Sequence, residues 1–202
     1  MSENKQKVNR CRKVMKWDTV ESRVVFSADP WVKVHIDVVR LPAGRIVDDY
    51  FRVELPEYVM IYAQREDGKV LIERMYKHAI GDVSLVLPTG CIEKDEDPLD
   101  AAKRELLEET GYKADIWNYV GSFVVDGNKG SGKGYFYCAE ELERVSDPVE
   151  DDMEIAEIEF VEPATAVETM LKTKTSELAS TALIALASNP HMKKFMVERE
   201  NI

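Results

Sequence analysis

Glu105, Glu108 and Glu109 fall within five consecutive positions, and at 100° per residue they share one side of a helix. Like charges three and four residues apart repel, and near a helix C-terminus they also oppose the macrodipole. Arg104 stands one turn before Glu108 and neutralises part of that charge, leaving a surplus. A hard divalent cation offsets such a surplus, because Mg2+ takes oxygen ligands and keeps waters or substrate phosphates in the rest of its shell. A solvated acidic face is the alternative, and the helix taken alone does not decide between the two.

The helix that positions these residues is marked at both ends. Asp97 can cap it, Pro98 suits the first helical position and Gly111 supplies a left-handed stop, which predicts a helix over 98–110. Leu99, Ala102, Leu106 and Thr110 form its sheet-packing stripe, with Ala101 on the acidic side. Around it the pattern is mostly strand. Val32, Val34, Ile36 and Val38 alternate with polar residues, Pro42-Ala43-Gly44 turns the chain, and 45–54 reads as a weaker second strand. Runs at 58–64 and 70–75 flank Glu66-Asp67-Gly68-Lys69, whose Asp-Gly suits a hairpin turn, and 84–87 is a short strand stopped by Pro88. Strand patterns return at 115–124, 134–138 and 155–161, and helical ones at 163–171 and 176–188, with a short helix after Asn189-Pro190. The predicted class is α/β (α+β), a mixed sheet with a few packed helices.

Length and charge narrow the functions open to such a chain. Its 202 residues suit one domain with an extension, large enough for a core without disulfides or a structural metal. With 38 acidic against 27 basic residues the net charge is −11, which disfavours broad binding of nucleic acid and still permits a phosphorylated ligand bridged by metal. Cys11, Cys91 and Cys138 form no CxxC pair, so a zinc ribbon or disulfide framework is a poor fit and a reducing, cytoplasmic setting is expected. No apolar run is long enough to span a bilayer, so no membrane partner is expected. The first sixteen residues carry six basic side chains and lack an apolar core, which reads as a solvated start and not a secretory signal.

Joined to its upstream loop, the acidic segment reads Gly90-x5-Glu96-x7-Arg104-Glu105-Leu106-Leu107-Glu108-Glu109-Thr110-Gly111-Tyr112. This resembles the Nudix box, G-x5-E-x7-R-E-U-x-E-E-x-G-U with U a bulky apolar residue, and every fixed position matches. The resemblance implies an α/β/α sandwich with a mixed sheet and hydrolysis of a diphosphate linked to another group, with Mg2+ or Mn2+ as cofactor. Carried over by position, Glu105 and Glu109 look like metal ligands, Glu108 a third or supporting one, and the carbonyl of Thr89 a further ligand. Arg104 orients the glutamates, while Glu96, Gly90 and Gly111 are structural members of the motif.

Beyond the box, the resemblance runs over roughly 24–171 and points to the ADP-ribose and nucleoside-diphosphate-sugar pyrophosphatases. Val70-Leu71-Ile72-Glu73-Arg74-Met75-Tyr76-Lys77 is similar to a strand ending R-Q-Y-R, which implies substrate contacts from Arg74 and Lys77. Leu87-Pro88-Thr89-Gly90-Cys91-Ile92-Glu93 is similar to E-L-P-A-G-x-I-E, with Glu93 as the closing glutamate in a substrate-binding role and Val86 in place of the first glutamate. The loop holding Glu150, Asp151, Asp152 and Glu154 is similar to the one supplying a general base, here Asp152, and another ligand, here Glu154. The branch also implies a division into a tail and β region over 1–55, which builds a homodimer, and a hydrolase domain over 56–202. Asn128 stands where ADP-ribose enzymes carry a proline, which leaves the sugar open. A triphosphate-cleaving Nudix enzyme and a nucleotide-sugar sensor without turnover are the alternatives.

Gly127 to Gly134 nearly spells a P-loop but lacks the closing hydroxyl residue and runs into a strand pattern, so a hairpin is expected there. His35, His78 and His191 share no ligand spacing, and Cys91 has no implied base. Trp31, Phe51 and Trp117 could stack on a base, although aromatic residues in strands are usually core.

Overall fold

The structure, a computed structural model, describes residues 14–149 and 155–198. The chain divides into two compact units, Met1–Val53 and Glu54–Ile202. In the first, β1 (Asp18–Ala28), β2 (Val32–Arg40) and β3 (Ile46–Glu54) form a sheet in that order, with β1 and β2 antiparallel. Asp37 in the middle strand ties the three together, accepting hydrogen bonds from Ser22 Oγ at 2.5 Å and Arg52 Nε at 3.2 Å. Burial alone would raise its pKa; those two donors outweigh it and hold the carboxyl below its ordinary value.

The second unit holds β4 (Tyr58–Ala63), β5 (Val70–Lys77), β6 (Asp82–Val86), β7 (Thr89–Cys91), α1 (Pro98–Thr110), β8 (Tyr112–Asp126), β9 (Ser131–Arg144), β10 (Ala156–Val161), α2 (Pro163–Lys172), α3 (Leu178–Ala187), α4 (Pro190–Lys193) and β11 (Val197–Glu198). Five strands make a mixed sheet in the order β11-β8-β9-β4-β7, in which β4 and β9 run parallel from Tyr58↔Gly134 to Ala63↔Ala139. A second, antiparallel sheet has the order β10-β5-β6. The turn at 65–69 joins β4 to β5, with Gly68 at φ 85° donating to the Arg65 carbonyl.

β4 reads as a continuous apolar run because both of its faces are covered. Met60 and Tyr62 pack with Val70, Ile72, Leu85 and Leu87 against Ala166, Met170, Leu183 and Ile184 of α2 and α3. On the other face Val59, Ile61, Ala63 and Leu71 meet Leu99, Ala101, Ala102 and Leu106 of α1. Ala101, expected on the acidic side of the helix, is fully buried: it lies at the border of the stripe and its methyl fits against the sheet.

The expected hairpin turns over 127–130, with 131–134 already in β9, and the Asp126 carboxylate accepts from the Asn128 and Lys129 N–H groups. β1 was not expected from the pattern, because all eleven of its residues are exposed and no burial period marks it. Among the described residues no helix is long and apolar enough to cross a membrane.

Candidate active site

The predicted bounds of α1 hold at both ends. The Asp97 carboxylate accepts from Leu99 N–H at 2.8 Å, Pro98 opens the helix, and Gly111 at φ 76° closes it by donating to the Leu107 carbonyl. A Cβ on Gly111 would run into the Ser146 carbonyl, so close approach as well as backbone conformation requires glycine there. That contact matters downstream. Val145 and Ser146 donate to the Gly111 carbonyl, and Val149 donates to the Glu108 carbonyl at 2.8 Å, which satisfies carbonyls at the helix end.

Arg104 is the hub of the site. Its Nε and Nη2 both donate to the Glu96 carboxylate at 2.9 Å, a bidentate pair. Nη1 donates to Glu105 Oε1 at 2.7 Å and Glu108 Oε2 at 3.1 Å, and Nη2 also reaches the Cys91 carbonyl at 3.1 Å. One guanidinium thereby joins the end of β7 and, through Glu96, the loop after it to two glutamates of its own helix. Glu96 accepts in addition from the Glu93 N–H at 2.9 Å. The Arg104 bond, the larger cause, and that N–H hold the Glu96 carboxyl below its ordinary value; the same bond makes Arg104 harder to deprotonate.

Two further contacts press the glutamates against β7. Thr89 N–H donates to Glu109 Oε2 at 2.9 Å, and the space a Cβ on Gly90 would take is filled by the Glu105 carboxyl group. Glycine at 90 is therefore a packing requirement of Glu105, met without positive φ. β6 is anchored just ahead of this point, where the Leu87 N–H donates to Ser180 Oγ of α3 at 3.3 Å.

Whether a divalent cation suits these residues can be judged from the donors. Glu105, Glu108 and Glu109 offer hard carboxylate oxygens, and Gly90 leaves room for one of them beside the backbone of β7. Among the described residues no three Asp, Glu, His or Cys side chains are gathered in metal-holding geometry. Instead Glu105 and Glu108 meet Arg104 and Glu109 meets Thr89. The donor chemistry suits a hard divalent cation, and Glu108, whose side chain is 48% exposed, is open to one.

The other expected residues are placed less uniformly. Lys77 and Arg74 lie three apart on β5 and so point to opposite faces; Arg74 is exposed and paired with Glu159 at 2.9 Å. Glu93 is exposed, and what the loop uses of it is its backbone. Asp152 and Glu154 lie outside the described residues, as does Cys11. The segments flanking 150–154 are described: Val149 is held at Glu108, and Ala156 stands opposite Met75 of β5. Trp117 is core, its Nε1 donating to the Ala114 carbonyl, while Trp31 and Phe51 are exposed residues of the N-terminal unit. The anchoring contacts of the Cys91 carbonyl and Ser180 carried no sequence signal, being backbone or long-range pairs.

The NUDIX domain family matches residues 55–181. The chain belongs to the Nudix family. It is a Nudix hydrolase acting on phosphoanhydride bonds, and residues 17–53 match a second family, the nucleoside diphosphate sugar hydrolase N-terminal domain. It is 28% identical over 144 residues to ADP-ribose pyrophosphatase of Bacillus subtilis (strain 168), spanning 71% of this chain and 75% of that protein. It is 30% identical over 138 residues to CMP-5'-(N-acetyl-N-hydroxy-3-aminopropyl)phosphonate hydrolase of Streptomyces rubellomurinus (strain ATCC 31215), spanning 67% of this chain and 65% of that protein. A solved ADP compounds hydrolase shares the fold at TM-score 0.71 and 19% identity, covering 87% of this chain and 94% of that one. In this Nudix hydrolase the mixed sheet, the antiparallel sheet and the packed helices follow the expected α/β class.

Proposed function

We propose that this Nudix hydrolase cleaves the diphosphate of a nucleoside diphosphate sugar such as ADP-ribose, giving a nucleoside monophosphate and a sugar phosphate. The observation that carries it is the way Arg104 and the Thr89 N–H gather Glu96, Glu105, Glu108 and Glu109 beside β7. Glu105, Glu109 and Glu108, with the Thr89 carbonyl and Glu154, hold Mg2+ or Mn2+. Bound there, the cation supplies Lewis acidity, drawing charge from the phosphoryl oxygens and making the attacking water more acidic. Asp152 takes the proton of that water, as the likeness of its segment to a base-supplying loop implies. Lys77, Arg74 and Glu93 bind the substrate, and Arg104 orients the glutamates it contacts.

The N-terminal β region, divided from the hydrolase domain near residue 55, forms the interface of a homodimer. Val20, Val24 and Phe26 of β1 are each about half exposed (51%, 53% and 55%), an apolar surface of the kind that a partner covers. A net charge of −11 keeps nucleic acid and anionic membrane off the partner roll, and thiols at Cys91 and Cys138 suit a reducing cytoplasm.

The test is product analysis over ADP-ribose, GDP-mannose, UDP-glucose, NADH, diadenosine polyphosphates and dNTPs, with Mg2+ and with chelator. Mg2+-dependent release of a nucleoside monophosphate from one diphosphate sugar is the expected result. Turnover confined to triphosphates, or binding without turnover, overturns it.

A further inference from the structure

β6 ends at Val86 and β7 begins at Thr89, so Leu87 and Pro88 carry the chain from the antiparallel sheet to the mixed one. Pro88 has no N–H to give. The N–H groups on either side of it go to side chains of two different helices. Leu87 N–H donates to Ser180 Oγ of α3 at 3.3 Å, and Thr89 N–H donates to Glu109 Oε2 of α1 at 2.9 Å. Two carbonyls of this corner are held as well: that of Leu87 accepts from Thr89 Oγ1 at 2.8 Å, and that of Pro88 accepts from Ile61 N–H of β4 at 3.0 Å. The corner is tied to α3 at one end and to a glutamate of α1 at the other.

Ser180 and Leu87 are both fully buried, and Leu87 belongs to the apolar core that includes Leu183 and Ile184 of α3. An amide buried there needs a partner, and Ser180 Oγ supplies it. The same hydroxyl donates to Glu177 Oε2 at 2.7 Å, so it gives its proton in one direction and accepts from the other. Glu177 immediately precedes α3, and its carboxylate fixes where the hydroxyl proton points, which turns a lone pair toward the corner. Hydrogen bonds therefore run from Glu177 through Ser180 to Leu87, from Leu87 to Thr89, and from Thr89 to Glu109.

Resting on the metal-site reading above, we propose that Ser180 is a positioning residue of the cation site. By holding Leu87 it sets where Thr89 presents its N–H to Glu109 and its carbonyl to a divalent cation. α3 thereby raises the affinity of the site without contributing a ligand, as partners behind the direct ligands do.

Two measurements on the metal-free full chain test this: Mn2+ titration followed by electron paramagnetic resonance, and amide hydrogen exchange before any metal is added. The variants are Ser180→Ala, Ser188→Ala and Glu109→Gln. Ser180→Ala is expected to weaken Mn2+ binding about 10- to 100-fold. It should also speed exchange of the Leu87 and Thr89 amides. Ser188→Ala removes a hydroxyl that donates to the Ile184 carbonyl at the far end of the same helix, and it should leave both readouts as in wild type. If Ser180→Ala fails to fold, the near-isosteric Ser180→Cys decides, because sulfur is a weak acceptor. Unchanged Mn2+ affinity or unchanged exchange in the Ser180 variant, or an equal loss in Ser188→Ala, overturns the proposal while Glu109→Gln still weakens binding. Unchanged affinity in Glu109→Gln instead overturns the metal-site reading itself, and this proposal with it.

Discussion

Replacing Arg104 by lysine keeps the charge and removes the fork, which isolates what the geometry of the hub contributes. Arg104 makes five hydrogen bonds to Glu96, Glu105, Glu108 and the Cys91 carbonyl. A single ammonium has three donors on one atom and cannot span both Glu96 oxygens and the Cys91 carbonyl as well. At least two charge-assisted bonds are lost, each worth about 1.5–3 kcal/mol when buried. Its side chain is 26% exposed, so solvent screening cuts the sum to roughly 2 kcal/mol. In a domain of this size that lowers the melting temperature by roughly 4–8 °C. The difference also carries a pH signature. Glu96 titrates below its ordinary value because of Arg104, so its contribution is fully present above the ordinary glutamate range and is lost as pH falls through the folded-state value. Calorimetric melts of wild type and Arg104→Lys at pH 7 and at a series of acidic pH values should show the gap at pH 7 narrowing on acidification. Equal melting temperatures at pH 7, or a gap that ignores pH, would refute the assignment of Arg104 as the hub.

Gly90→Ala should cut turnover more than tenfold while melting within a few degrees of wild type, because its Cβ displaces the Glu105 carboxyl without straining a positive φ; kcat and a thermal melt check this. Gly111→Ala should do the reverse in emphasis, destabilising by about 1–3 kcal/mol in urea unfolding, since it meets both a left-handed φ and the Ser146 carbonyl. Asp97→Ala should cost about 1 kcal/mol in the same assay through loss of the cap on α1.

How much of this was legible beforehand depended on whether the cause was local. α1 was readable to the residue, because Asp97, Pro98 and Gly111 act within one turn of the ends they set. β8 and β9 run further than their apolar patterns, from Tyr112↔Arg144 to Asp126↔Ser131, since a hairpin ladder carries charged residues along once its centre is paired. β1 is held by its ladder to β2 and by Ser22 on Asp37, and neither leaves a periodic trace in eleven exposed residues. In the site, the types and spacing of Gly90, Glu96, Arg104, Glu105, Glu108 and Glu109 stood out as one motif. The opposite facing of Arg74 and Lys77 was implicit in their odd separation on a strand.

The central claim is that the face shared by α1 and β7 performs cation-dependent diphosphate hydrolysis. Phosphorus NMR of ADP-ribose with Mg2+ and the full chain tests it most directly, run beside Glu109→Gln. Conversion of the diphosphate resonances to two monophosphate resonances, abolished by chelator and lost in Glu109→Gln, is the predicted result. Undiminished conversion by Glu109→Gln, or conversion indifferent to chelator, would contradict it.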